Sequence, residues 1–164
     1  MPKSFQLRLH GLRAAPGVPA AALRTLILFL LDRARRAEPG RPWAELDVVL
    51  TGHAGIRRYN RASFGRDAVT DVITMTYAPD PVRPGWSGEL IVNAALAREL
   101  GPRFGGAGRE LALYLAHGCD HLTGGTDDTP AERARMRRRE LRWLAAARKA
   151  GLIDPLEPRR PRRT

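Results

Sequence analysis

His117 and His121 stand four residues apart, and Gly124-Gly125-Thr126-Asp127-Asp128 follows closely behind them. On an α-helix, residues i and i+4 lie about 40° apart around the axis and one turn apart along it. Both imidazoles can therefore ligate one ion, each through Nε2 or Nδ1. One helix supplies only two ligands at that angle, so the third must come from past its end. Glycine ends helices in the left-handed conformation, which makes Gly124 the expected stop. Asp127 then sits where a returning loop closes the site. Two imidazoles and a carboxylate leave one coordination position open, the arrangement of a catalytic metal.

The element that must carry this pair is a core-facing helix. From Ala107 the apolar positions Leu111, Tyr114, Leu115, Gly118 and Leu122 follow spacings of three and four. Both histidines fall on one edge of that stripe, where a cleft wall belongs. Cys119, the only cysteine, points to a different side and reads as a packing residue. Asp120 stands about 60° from His117 around the helix. It is a candidate for taking a proton from bound water, with a solvated helix carboxylate as the equal alternative. Proteases with His-Glu-x-x-His carry their general base after the first histidine. Gly118 occupies that position here, which removes peptide hydrolysis by that route and lets another segment approach the helix closely.

Three ordered stretches resemble the YbeY family of rRNA-maturation endoribonucleases. His117-Gly118-x-x-His121-Leu122-x-Gly124 with its acidic turn is similar to the end of the family signature. Tyr59-Asn60-Arg61 followed by Val69-Thr70-Asp71-Val72-Ile73-Thr74 is similar to the family's Asn…Thr-Asp-Val-Leu-Ser-Phe segment. Gly88-Glu89-Leu90-Ile91-Val92 is similar to its Gly-Asp-Ile strand. The resemblance runs from about Leu46 to about Leu144.

The resemblance implies a metal-dependent endoribonuclease that acts on single-stranded RNA. Its expected roles are maturation of the 3′ end of 16S rRNA and ribosome quality control, with the small ribosomal subunit as partner and no DNA specificity. It implies one divalent ion, zinc first, held by His117, His121 and Asp127. The family usually has histidine at the third position; carboxylate oxygen suits zinc as well, and Asp128 is the alternative if the turn is set one residue on. Asp120 stands where the family has leucine. Phe64 stands where a basic residue usually serves the cleft, and Arg66 or Arg61 is expected to contact phosphate instead. Thr70 and Asp71 precede a buried strand, where fixing a turn is at least as natural a role as touching substrate. Two other readings use the same residues: a non-catalytic ribosome-assembly module with a structural metal, and a metal-dependent hydrolase of another substrate.

Composition agrees with one intracellular nucleic-acid-binding domain. The chain has 164 residues, 43% of them hydrophobic, enough for one core. A single cysteine allows no internal disulfide, as expected in a reducing cytoplasm. The longest apolar run, Thr25 to Leu31, is too short to span a bilayer, and neither a signal peptide nor a membrane anchor is expected. Net charge is +11. Residues 132–164 hold twelve basic and four acidic residues, a net of +8, against +3 for the rest. Such a surface attracts phosphate backbones with little sequence preference, and Arg137 and Arg138 are the expected RNA contacts.

Punctuation and periodicity give an α/β (α+β) fold: about four strands in a small mixed sheet, packed with about five helices, one of them a zincin-like metal helix. Strands are expected at Ser4–His10, Leu46–Leu50, Val69–Tyr77 and Glu89–Val92. Helices are expected at Val18–Arg36, Gly52–Ala62 and Ala94–Leu100, and from Ala107 onward. Pro79 to Ser87 should be an exposed loop beside the site. The last helix opens with Thr129 as cap, Pro130 in the first turn and Glu132 closing a capping box. Its inner face should hold Met136, Leu141, Trp143 and Leu144. The domain is expected to cover residues 1–154, with 155–164 a disordered basic tail.

Overall fold

A computed structural model describes residues 5–37 and 39–158. Its strands are β1 (Gln6–His10), β2 (Trp43–Thr51), β3 (Val72–Tyr77) and β4 (Trp86–Asn93). Its helices are α1 (Ala20–Ala37), α2 (His53–Phe64), α3 (Ala94–Phe104), α4 (Ala107–Leu122) and α5 (Pro130–Lys149). The sheet order is β1-β2-β4-β3. β1, β2 and β4 run parallel, and β3 pairs antiparallel to β4. The expected mixed four-stranded sheet with five helices is therefore present.

Alternation along β4 divides the core. Leu90 and Val92 face the main cluster with α1 and α4, while Ile91 meets Ile56 of α2 and Ile73 of β3 on the opposite face. α4 lies deepest, with Leu111, Tyr114, Leu115, Gly118 and Leu122 all buried, as their spacing predicts. Cys119 is fully buried and packs in this core, and burial pushes its thiol up to about 12.

Two glycines let α4 settle onto the sheet. A Cβ on Gly118 would stand 2.8 Å from Leu90 Cδ2, and one on Gly88 of β4 would stand 2.6 Å from Leu122 Cδ2. Each surface thus offers a glycine to the other's leucine. This is the close approach expected of Gly118.

Several boundaries differ from expectation for local reasons. β3 begins at Val72 because Asp71 Oδ1 accepts from Val72 N and from the Thr70 hydroxyl, making 69–71 a turn. β4 begins at Trp86, whose N–H donates to Pro42 O, so the exposed loop ends before it. α3 continues to Phe104 through Pro102 and stops at Gly105, which has φ 92°. Met136, Trp143 and Leu144 of α5 are buried, but Leu141 is 40% exposed: it lines a cleft instead of the core. The capping box at Thr129 and Glu132 forms as expected.

Residues 156 and 157, expected beyond the domain, pack against it. Leu156 is 1% exposed in the core, and Glu157 Oε1 accepts from the Gly108 and Arg109 amides at the start of α4. Ser4 and residues 159–164 lie outside the described residues.

Candidate metal centre

His117 and His121 leave the last two turns of α4 on one face, and their Nε2 atoms converge to 3.1 Å. The other nitrogen of each ring is held by an acceptor. His117 Nδ1 lies 2.7 Å from Glu140 Oε1 on α5, and His121 Nδ1 lies 3.0 Å from Gly125 O in the loop after α4. Each Nδ1–H donates to its oxygen, which fixes the tautomer and aims both Nε2 lone pairs at the same point. Asp127 Oδ2 completes the group, 3.6 Å from His121 Nε2 and 3.9 Å from His117 Nε2. Ligands about 2.0–2.2 Å from a tetrahedral ion are separated by somewhat more than 3 Å, so this donor set fits a metal without rearrangement. These three residues are the one ligand group among the described residues, which leaves a position open for water or substrate. Asp128 has no part in that group.

The loop that delivers Asp127 is short and strongly held. Gly124, with φ 108°, turns the chain off the helix end as its type predicts. Gly125 N then donates to Asp120 O, and Arg133 Nη1 donates to the Asp127 and Asp128 carbonyls. Asp120 explains the rest. Its carboxylate is 1% exposed, takes Arg139 Nε at 2.9 Å and a second bond from Arg139 Nη2, and lies directly beneath Gly125. Burial raises its carboxyl above the usual range, with the Arg139 guanidinium pulling the other way. Asp120 lines neither cleft described next, and its burial corrects the solvated alternative read from sequence. The cause is Arg139, which ties the carboxylate inward.

The metal group sits on a ridge between two cavities. One of about 780 Å³ runs between α3, α4 and α5; the other, about 620 Å³, lies beside α2 and β3. Thr70, Asp71, His117 and Asp127 border both. Arg66, Asn60 and Phe64 line the smaller one. Arg61 does not; it pairs with Asp67 on the exposed side of α2. Arg137 lines the larger cavity, and Arg138 does not. Asp71 does the structural work read from sequence by fixing its turn, and Asn60 Nδ2 donates to Ala68 O.

Glu140 and Arg139 were not foreseen. They sit among the arginines of α5, where an isolated acidic residue at a helix position facing α4 was the available signal. Burial works against the charged form of His117, but the Glu140 hydrogen bond and charge outweigh it and raise the imidazole above its ordinary value.

The sequence profile of "Endoribonuclease YbeY" matches residues 14–148. The chain belongs to the YbeY endoribonuclease family. Curated YbeY endoribonucleases agree: one from Anaeromyxobacter sp. is 36% identical over 70% of this chain and 58% of its own length. Others from Geobacter metallireducens and Chlorobium phaeovibrioides are 34% and 32% identical. They cover 70% and 84% of this chain, and 80% and 88% of their own lengths. The solution structure of a Thermotoga maritima protein shares the fold, with TM-score 0.61 and 21% identity, covering 97% of this chain and 100% of that one. As a YbeY endoribonuclease the protein is a hydrolytic, metal-dependent nuclease that cuts within RNA. No helix among the described residues is long and apolar enough to cross a membrane.

Proposed function

We propose that the protein is a zinc-dependent endoribonuclease of the cytoplasm that cuts single-stranded rRNA, at the 3′ end of the 16S molecule, on or near the small ribosomal subunit. The observation that carries this reading is the convergence of two oriented Nε2 atoms and Asp127 on a ridge open to a cavity on each side. An unpaired strand that passes both cavities would bring a phosphate to this group. When bound there, a divalent ion supplies a water of lowered pKa and positive charge beside the attacked phosphate.

The chain's own residues do the remaining work. His117, His121 and Asp127 hold the ion. Glu140 and Gly125 O orient the two rings. Asp71 borders both cavities and its charge reaches His117, so it is the carboxylate available for proton transfer. Arg66 contacts a phosphate from the smaller cavity and Arg137 from the larger. Arg61 and Arg138 lie outside the cavities and extend the basic surface that holds flanking RNA.

The deciding experiment is cleavage of a single-stranded 16S 3′ fragment by purified protein, with and without a chelator, beside His121→Ala. Cleavage that stops with the chelator, returns with zinc and is absent from the variant supports the reading. Equal cleavage by His121→Ala, or undiminished cleavage in the chelator, overturns it.

A further inference from the structure

The larger cavity holds groups that the ion and its ligands do not use. Glu110, Tyr114, His117 and His121 form one stripe along α4, so the face carrying the metal ligands continues toward the start of the helix. Glu110 and His117 are seven positions apart, about 10 Å of rise. That is comparable with the reach of one nucleotide from phosphate to base edge.

These two polar groups are buried and poorly served by the protein. Glu110 is 4% exposed, and its one side-chain partner is Arg109 Nη1 at 3.4 Å from Oε1. Tyr114 is 4% exposed; its hydroxyl meets no partner in good hydrogen-bond geometry among the described residues but lies beside the Glu110 carboxylate, and burial together with that charge pushes the phenol up. Buried polar atoms are normally paired, so this hydroxyl and the carboxylate beside it, lightly bonded in a cavity wall, point to a ligand. One part of the wall around them is apolar: Leu96, Leu100 and Phe104 from α3, Leu113 from α4, Met136 and Leu141 from α5. Phe104 is 53% exposed, available for stacking.

We propose that this cavity seats an unstacked guanine of the RNA substrate, next to the phosphate at the metal, with Glu110 reading its Watson–Crick edge. A carboxylate is an acceptor at both oxygens. Guanine places two donors side by side, N1–H and the 2-amino group, with the O6 acceptor adjoining them, and Arg109 is positioned to donate to O6. Uracil offers a single donor, N3–H, between two carbonyl acceptors, so one carboxylate oxygen would face an acceptor; adenine and cytosine each offer one donor beside an acceptor. Phe104 and the leucines cover the faces of the ring, and Tyr114 bonds the remaining edge. This rests on the nuclease reading only for the identity of the polymer, because the subsite recognises the base itself.

The test is calorimetric binding of guanosine, inosine, adenosine, cytidine and uridine 5′-monophosphates to the zinc-loaded full chain, wild type and Glu110→Gln. A bidentate base contact is worth about 1–3 kcal/mol, so guanosine monophosphate should bind roughly tenfold or more tightly than uridine monophosphate. Inosine monophosphate, which lacks the 2-amino group, should fall between. In Glu110→Gln that advantage should collapse while uridine monophosphate binding stays the same. Equal affinity for all five, or a guanine preference that survives in Glu110→Gln, overturns the proposal. If Glu110→Gln does not fold, Phe104→Ala at the exposed wall replaces it. It should weaken guanosine monophosphate but not ribose 5-phosphate, and an equal effect on both refutes a base-stacking wall. Nucleotide binding without RNA cleavage would sink the nuclease reading and leave the subsite standing; cleavage without base preference would do the reverse.

Discussion

Glu140 Oε1 lies 2.7 Å from His117 Nδ1, so a buried carboxylate on α5 orients the imidazole on α4. Glu140 is 2% exposed and has little freedom to point elsewhere. Carboxylates behind ligating histidines typically change metal affinity about 10–100-fold. Glu140→Gln should weaken zinc by that order, measured by chelator competition, while His121 and Asp127 remain in place.

The same contact sets opposite pH dependences for metal-free and metal-loaded protein. His117 is raised above 6.5 in the metal-free fold, by Glu140 working against burial. Its contribution to stability is therefore complete below pH 6.5 and lost as pH rises through the folded value. Zinc needs the imidazole unprotonated, so stabilisation by metal grows over that same rise. Melting temperatures of metal-free and zinc-loaded protein should diverge from pH 6 to pH 8. In metal-free protein Glu140→Gln should lower the pH at which the His117 contribution is lost, and an unmoved pH dependence of melting would remove Glu140 from the site.

Asp127 and Asp128 are adjacent, but only Asp127 has an oxygen near both Nε2 atoms. Elemental analysis should find about one ion per chain in wild type and in Asp128→Ala. Asp127→Ala should retain far less after dialysis. Loss in Asp128→Ala alone would shift the turn by one residue.

The buried Asp120–Arg139 pair supports the ligand loop from beneath Gly125. Removing one partner of such a pair commonly costs about 3–5 kcal/mol, because the other charge stays buried. Arg139→Met should show a loss of that order in urea unfolding. The double variant with Asp120→Leu should recover most of it, since no buried charge is then left unpaired. Cleavage by the folded double variant should persist at reduced rate, whereas a proton-transfer role for Asp120 requires its loss.

Truncation should separate the basic end from the fold. Removing residues 159–164 takes away four arginines. RNA binding should weaken and its salt dependence flatten, by about 0.7 in logarithmic slope for each single-strand phosphate that is no longer neutralised, with melting unchanged. Removing 155–164 also deletes buried Leu156 and the Glu157 cap on α4. That larger cut should cost about 2–5 kcal/mol, the range for losing a core leucine.

The metal group was legible because its determinants are local. The i, i+4 spacing, the ending glycine and the carboxylate beyond it lie within eleven residues, and helix geometry connects them. Strand types were legible from alternation, but β3 and β4 each began away from expectation because side-chain and loop bonds at Asp71 and Trp86 set their starts. Asp120, Leu141 and Leu156 were misread for a shared reason: each environment is made by a distant element. Arg139 buries Asp120, the gap between α3 and α5 exposes Leu141, and the start of α4 receives residues 156–157. Glu140 was invisible for the same cause, since its meaning depends on α5 crossing beside His117.

Gly118 and Gly88 set how deeply α4 sits on β4, by leaving space for Leu90 and Leu122. The height of both imidazoles above the sheet is thus governed by two missing methyl groups on surfaces that never meet solvent. Asp71 and Arg66 belong to the sheet side of the ridge, and Asp127 and Glu140 to the helical side. The seam between Gly118 and Leu90 is therefore a spacer gauge: thickening it by one carbon would lift the helix and move both imidazoles relative to Asp71 and Arg66, with each of these residues still in place on its own element.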